Sequence, residues 1–282
     1  MQMKTITREI NSAHFETLVG KELLIFIQEK APTKVLWRFL KSIDHVEKAK
    51  LLDGIEDEMG AIRLIAAEEE LVVAIFEWLK INENKMPEHR DLVRAYKNHQ
   101  VKLMFYPVLT LMHFAIGWVL KDGLAFEGIE HLQLKVTPKI KKGTIIFMVH
   151  GAGGKELFAF NPLGIFISQK DKTNEQVIES LYLELVHQVK IKHNATLKQF
   201  VNLRSDYRNK LLYAEDGGFI TGGDTVSEIL SGSFDSTYRE LLWTLATLLG
   251  HDPLSPNLGL IAQFISIYRR VLLDTKAIRE KL

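Results

Sequence analysis

The run Leu183-Glu184-Leu185-Val186-His187 sets a carboxylate and an imidazole three positions apart within a predicted helix over 175–192. Zinc peptidases carry His-Glu-x-x-His on such a helix. The imidazoles at i and i+4 reach one zinc, and the glutamate polarises the bound water. Here Glu184 matches the glutamate and His187 the second histidine, whereas Leu183 stands where the first should be. Glu215 lies 28 residues beyond His187, near the end of the next predicted helix, a separation that suits a third ligand. Catalytic zinc normally has three protein ligands and a water, so His187 and Glu215 leave the set one short. His193 follows His187 by six residues, about 240° around the helix, and does not simply substitute. His150, beside a glycine loop, is the other accessory candidate. A plainer reading of the same residues stays open: a surface carboxylate at Glu184, a hydrogen-bonded, half-buried His187, and a helix-end charge at Glu215.

Other motifs carry less. Val149-His150-Gly151-Ala152-Gly153-Gly154 follows an apolar stretch and is similar to the oxyanion loop of α/β-hydrolases, whose backbone N–H groups face a tetrahedral oxyanion. That fold also needs Gly-x-Ser-x-Gly, and no such run occurs. Walker loops, dinucleotide fingerprints and EF-hand loops are absent. The chain has no cysteine, which excludes disulfides, cysteine-zinc sites, iron–sulfur clusters and thiol catalysis. With 36 Lys+Arg against 35 Asp+Glu there is no global charge to attract nucleic acid, and no nucleic-acid partner is expected. The 282 residues, 46% hydrophobic and 25% charged, can bury a sizeable core.

The elements that must position these residues follow from periodicity. Leu36, Phe39, Leu40 and Ile43 step at three and four, and 60–80 is the clearest helix, with Glu68-Glu69-Glu70 expected on its solvated face. The segment from Leu103 to Leu120 has no charged residue and is flanked by Lys102 and Lys121. Its length touches the lower edge of a membrane span, but Pro107, His113 and Gly117 interrupt it, so a buried helix is the first expectation and membrane contact the second. Beyond Gly123 the period changes. Residues 129–136 alternate, 143–150 form an apolar run and 163–168 a third short one, all read as strands. Helices return over 175–192, 197–214, 236–249 and 258–273, with Asn174 and Asp224 as caps. The N-terminus lacks an apolar signal region, so a cytoplasmic location is expected.

The order of apolar strand (GTIIFMVHG), glycine loop, short strand (GIFIS), helix (LYLELVHQ), LLYAEDGGFITG and the closing Gly250-His251-Asp252-Pro253 segment resembles the YjaZ-like predicted zinc-dependent peptidases, a gluzincin-like group. The resemblance covers roughly 140–272. It implies a zincin-like helix with Glu184 as general base, His187 and Glu215 as zinc ligands, and zinc as cofactor. Leu183 departs from the family's His-Glu-x-x-His, and Asp216-Gly217-Gly218 departs from the sequence after its glutamate. The expected fold is α+β and mostly helical, with a small mixed sheet near 129–168 packed against the zincin-like helix. It forms a single domain over 1–282, helical over 1–122 and zincin-like over 123–282. The expected function is a peptidase-like protein without standard activity that binds a peptide or protein partner. The alternatives are an active, divergent metallohydrolase completed by a residue such as His150, and a non-enzymatic interaction or membrane-associated protein.

Overall fold

A computed structural model describes residues 13–123, 135–212, 223–255 and 258–279. It is mostly helical with one small sheet, the α+β class expected from the sequence. The order is α1 (Ala13–Val19), α2 (Lys21–Lys30), α3 (Thr33–Lys50), α4 (Asp57–Ile81), α5 (Arg90–Arg94), α6 (His99–Gly123), β1 (Lys135–Lys141), β2 (Thr144–His150), β3 (Glu156–Phe160), α7 (Asn174–His193), α8 (Leu197–Leu212), α9 (Val226–Ile229), α10 (Asp235–Leu249) and α11 (Gly259–Asp274). A π-helical turn, Leu230–Phe234, joins α9 to α10.

The centre of the molecule is α4. It buries residues all round its circumference, from Ala61 and Leu64 to Trp78 and Leu79, as a helix does when others enclose it. It packs on α3, α6, α8 and α10. An aromatic cluster ties it to α6 and α11: Phe105 lies 6.0 Å from Phe76, 5.0 Å from Phe264 and 5.5 Å from Tyr268, all edge-on. Where α3, α4 and α10 meet, the Ser42 hydroxyl donates to the Ala67 carbonyl at 2.6 Å and accepts from the Tyr238 hydroxyl at 2.7 Å. Gly60 lets α9 approach α4, since a Cβ there would fall inside the Val226 side chain.

The charge-free segment opening at Leu103 lies within α6. Leu103, Met104, Phe105, Val108, Leu109 and Leu111 are buried, as the first expectation had it for this first half of the segment; the side chains of 112–120 lie outside the described residues. Pro107 lies within the helix. Among the described residues no helix is long and apolar enough to cross a membrane.

The acidic triplet departs from expectation. Glu68 and Glu69 are buried, and Glu70 binds Arg38 at 2.9 Å. Glu69 accepts from Lys102 Nζ at 2.6 Å and pairs with His99 Nδ1 at 2.7 Å. Partners on α6, about thirty residues away, pair the buried Glu69, and α3 supplies the partner of Glu70, so the face is not simply solvated.

The sheet is antiparallel throughout, in the order β1-β2-β3, not mixed. The run 143–150 is its central strand. Most of the strand expected over 129–136 lies outside the described residues, and β1 instead runs on to Lys141. Residues 163–168 are not a strand; the third strand is β3, ELFAF. The reason is Gln263 of α11. Its Oε1 accepts from Ile167 N–H and its Nε2 donates to Ile167 C=O, both at 2.8 Å, so one side-chain amide replaces a neighbouring strand. The turn before it is fixed by Gly259, whose φ of 49° and closeness to the carbonyls of Pro162 and Ile165 exclude any Cβ. The helix seated on β2 is α10, whereas α7 packs on α6, α8 and α11. The two edges of the sheet differ. β1 carries Pro138, Lys139 and Lys141, whereas residues 156–159 of β3 are all exposed.

Candidate functional site

Helix α7 starts with a capping box. Thr173, not Asn174, is the cap: its Oγ1 accepts from Gln176 N–H at 3.3 Å, and Gln176 Oε1 accepts from Thr173 N–H at 2.9 Å. Asn174 Oδ1 instead accepts from Gln263. At α9 the same device uses Thr225 and Glu228, displacing the expected cap Asp224. The inner stripe of α7 is Val177, Leu181, Leu185 and Val189 with Tyr182 beside it, all buried. Tyr182 is locked by its hydroxyl to Asp274 of α11 and covered by the Arg270 guanidinium 4.3 Å above its ring. Burial and the neighbouring carboxylate push its hydroxyl pKa well above the usual phenol range.

These contacts fix the rotation of α7. The outer stripe is Leu183, His187 and Ile191, spaced by four and facing solvent, with Leu183 56% and Ile191 62% exposed. Glu184 is half-buried beside it, and its Oε1 accepts from Gln188 Nε2 at 2.7 Å. Glu184 and His187 therefore sit on adjoining faces of one helix, with Leu183 one turn before His187. Glu215 lies outside the described residues.

The accessory histidines lie elsewhere. His193 ends α7 with its ring 4.6 Å from that of Phe200, closing the turn into α8. His150 ends β2. Its Nδ1 lies 3.4 Å from the Gly154 carbonyl and its Nε2 2.7 Å from Thr137 Oγ1. A carbonyl only accepts, so Nδ1 carries the proton and Nε2 accepts from the Thr137 hydroxyl. The lone pair a metal would need is thus engaged. Among the described residues no group of three His, Asp or Glu side chains could hold a metal ion. A cavity of about 350 Å³ opens at the α7–α8 turn, lined by Asn194, Gln199, Asn202 and Asp206 among others; it includes neither Glu184 nor His187.

Sequence spacing missed two polar constellations. The first is Glu69–His99–Lys102, in which Glu69 and Lys102 are both largely buried and His99 is half-exposed. The second is His89, whose Nε2 lies 3.0 Å from Ser266 Oγ. The Ser266 hydroxyl donates to Ala262 C=O, so it accepts from His89 Nε2–H and is not deprotonated by it. Asp91, which could have oriented the imidazole, is held by Arg269 in a two-pronged pair at 2.9 and 3.0 Å. The geometry is that of a structural pair rather than of an activated nucleophile. No spacing rule announces either group, because each joins helices distant in sequence.

Compared with protein-family models, curated proteins and solved structures, the chain matches none of them.

Proposed function

We propose that the chain is a gluzincin-like protein, akin to the YjaZ-like peptidases, that has given up standard zinc chemistry and acts by binding a peptide or protein partner along the outer face of α7. In this reading the chain is one domain over 1–282 that works in the cytoplasm. Glu184 occupies the general-base position, and His187 and Glu215 keep two former ligand positions. One observation carries it: Leu183, His187 and Ile191 form a solvent-facing stripe, with a leucine where the first zinc ligand would stand. Covering an aliphatic side chain of that size recovers about 1.5–3 kcal/mol, so the exchange of histidine for leucine trades metal affinity for contact area.

The test is metal analysis of protein prepared without chelator or polyhistidine tag, for wild type, Leu183→His, and Leu183→His combined with Glu215→Ala. The expected result is no zinc in wild type, near-stoichiometric zinc in the single variant and its loss in the double one. A folded Leu183→His protein that takes up no zinc would overturn the peptidase relationship. Stoichiometric zinc in wild type, lost in His187→Ala, would replace the reading with the active, divergent hydrolase.

A further inference from the structure

The outer edge of β3 is uncovered. Among the described elements β2 alone packs extensively on β3, and no strand pairs with its other side. Every second residue of a strand turns its N–H and C=O away from a given neighbour, so such an edge presents a row of donors and acceptors. Among the described residues, the backbone of 156–160 pairs with β2 and with nothing else. Edges are commonly blocked by charge or proline, and β1 has both. β3 has neither beyond Glu156: from Leu157 to Asn161 the chain is uncharged and free of proline.

The register shows what fits there. It is regular from Phe158 to Phe160, opposite Val149 to Phe147, and breaks beside His150, where Leu157 has no partner. The regular stretch is centred on Ala159. Phe158 and Phe160 share the face of the sheet that α10 backs, because they stand opposite buried Val149 and half-buried Phe147. Their rings form a run: Phe147 stacks on Phe160 at 5.7 Å, and Phe158 lies 6.4 Å from Phe160. Phe158 ends the run at the open edge and is 37% exposed. Ala159, on the opposite face, is exposed too.

This stretch is complementary to itself. A two-fold axis at Ala159 sets Ala159 against its own copy and Phe158 against Phe160 of the second copy, twice. The aromatic runs of the two chains then join on one face, and the ring left exposed in each is covered. On the other face only alanine methyls meet at the axis, which leaves the backbones free to close to strand spacing. The two copies of Glu156 stand six residues apart, about 20 Å, beyond a screening length of about 8 Å. The lysines of β1 lie on the far edges of the joined sheet, about 24 Å apart across five strand spacings. The two α10 helices, each seated on a β2, are about 14 Å apart, more than the 10 Å or so that neighbouring helices need. A foreign strand finds the same backbone groups but no such match of side chains. We infer that β3 pairs with β3 of a second copy of this chain, making one six-stranded antiparallel sheet. The contact is smaller than a standard interface of about 800 Å² per partner, so the pair is weak and forms with rising concentration. The inference is independent of any role of α7.

Full-length protein is followed by sedimentation equilibrium from about 1 to about 500 μM. The expected result is monomer at the low end and a rising share of dimer toward the high end. Ala159→Lys sets two ammonium groups against each other at the axis and should weaken association by about tenfold or more. Leu51→Lys adds the same charge at an exposed position of the α3–α4 turn and should associate as wild type does. The chain has no cysteine, so Ala159→Cys supplies a single thiol. On the axis it meets its copy at a Cα separation of about 4.5–5.5 Å, within reach of a disulfide. Mild oxidation should link Ala159→Cys into a covalent dimer about tenfold faster or more than Leu51→Cys, whose thiols meet only by collision. Monomer at about 500 μM, association indifferent to Ala159→Lys, or equal cross-linking rates of the two cysteine variants would each overturn the inference.

Discussion

His89 is placed so that a proton on its ring costs the native state more than the unfolded one. Its Nε2–H is committed to Ser266, and its Nδ1 is buried with no hydrogen-bond partner. Burial lowers its pKa below the ordinary value near 6.5; Arg269 acts in the same direction, while Glu88 and Asp91 oppose it. Burial lowers that of His45 too, helped by Lys41 and Arg63. As pH falls the unfolded chain binds these protons first. The stability these residues contribute is therefore complete above about pH 6.5 and lost as pH drops through the lower native pKa values. Urea midpoints measured from about pH 7.5 down to about pH 5 should fall, and His89→Gln should flatten that slope. An unchanged slope would mean that His89 does not titrate with unfolding. Residue-level chemistry was only partly legible in the sequence. The helix over 175–192 is readable, but the face it turns outward is not: His187, expected half-buried in the plainer reading, faces solvent. The burial of Glu68 and Glu69 is not legible either, because an acidic triplet looks solvated until its partners are known to fold across it.

Elements end where side chains close them, and the run GIFIS shows why composition misled there. It has the apolar content of a strand, but Gln263 takes both of its central backbone groups and the chain never joins the sheet. β3 escaped notice because ELFAF is short and faces solvent, so alternation had nothing to report. Gln263→Ala leaves the buried Ile167 N–H and C=O without partners. It should destabilise the fold by about 2–3 kcal/mol, read from urea denaturation, and speed amide exchange at Ile167 far more than along α10. Equal protection in the variant would mean that the loop is held by other contacts. The helices α7, α8, α10 and α11 were legible to within a few residues, since their periodicity is strong. Their caps were less so: Thr173 and Thr225 are chosen over Asn174 and Asp224 because each has a Gln or Glu three residues on to complete the box.

The whole molecule is organised around α4, and this makes its internal charges a global matter. Glu69 and Lys102 join α4 to α6 at 2.6 Å with little solvent access. Lys102→Met removes one member of that pair and takes from the buried Glu69 carboxylate the ammonium that donates to it at 2.6 Å. A loss of about 3 kcal/mol is expected in chemical denaturation, lowering the midpoint of the entire cooperative transition. A loss under about 0.5 kcal/mol would show that solvent already screens the pair. The fold class could be read from the change of period after Gly123. That α10 rather than α7 backs the sheet could not, because both helices are amphipathic and only long-range packing distinguishes them.

The unequal edges of the sheet also set how many copies could ever join through it. Proline and lysine blunt β1 against a further strand, while among the described residues no strand pairs with the outer edge of β3. A sheet with one usable edge has a valence of one: an antiparallel union of two β3 strands consumes it on both molecules at once. Encounters through this edge favour a closed pair, and the proline and lysines of the opposite strand disfavour growth into a fibre.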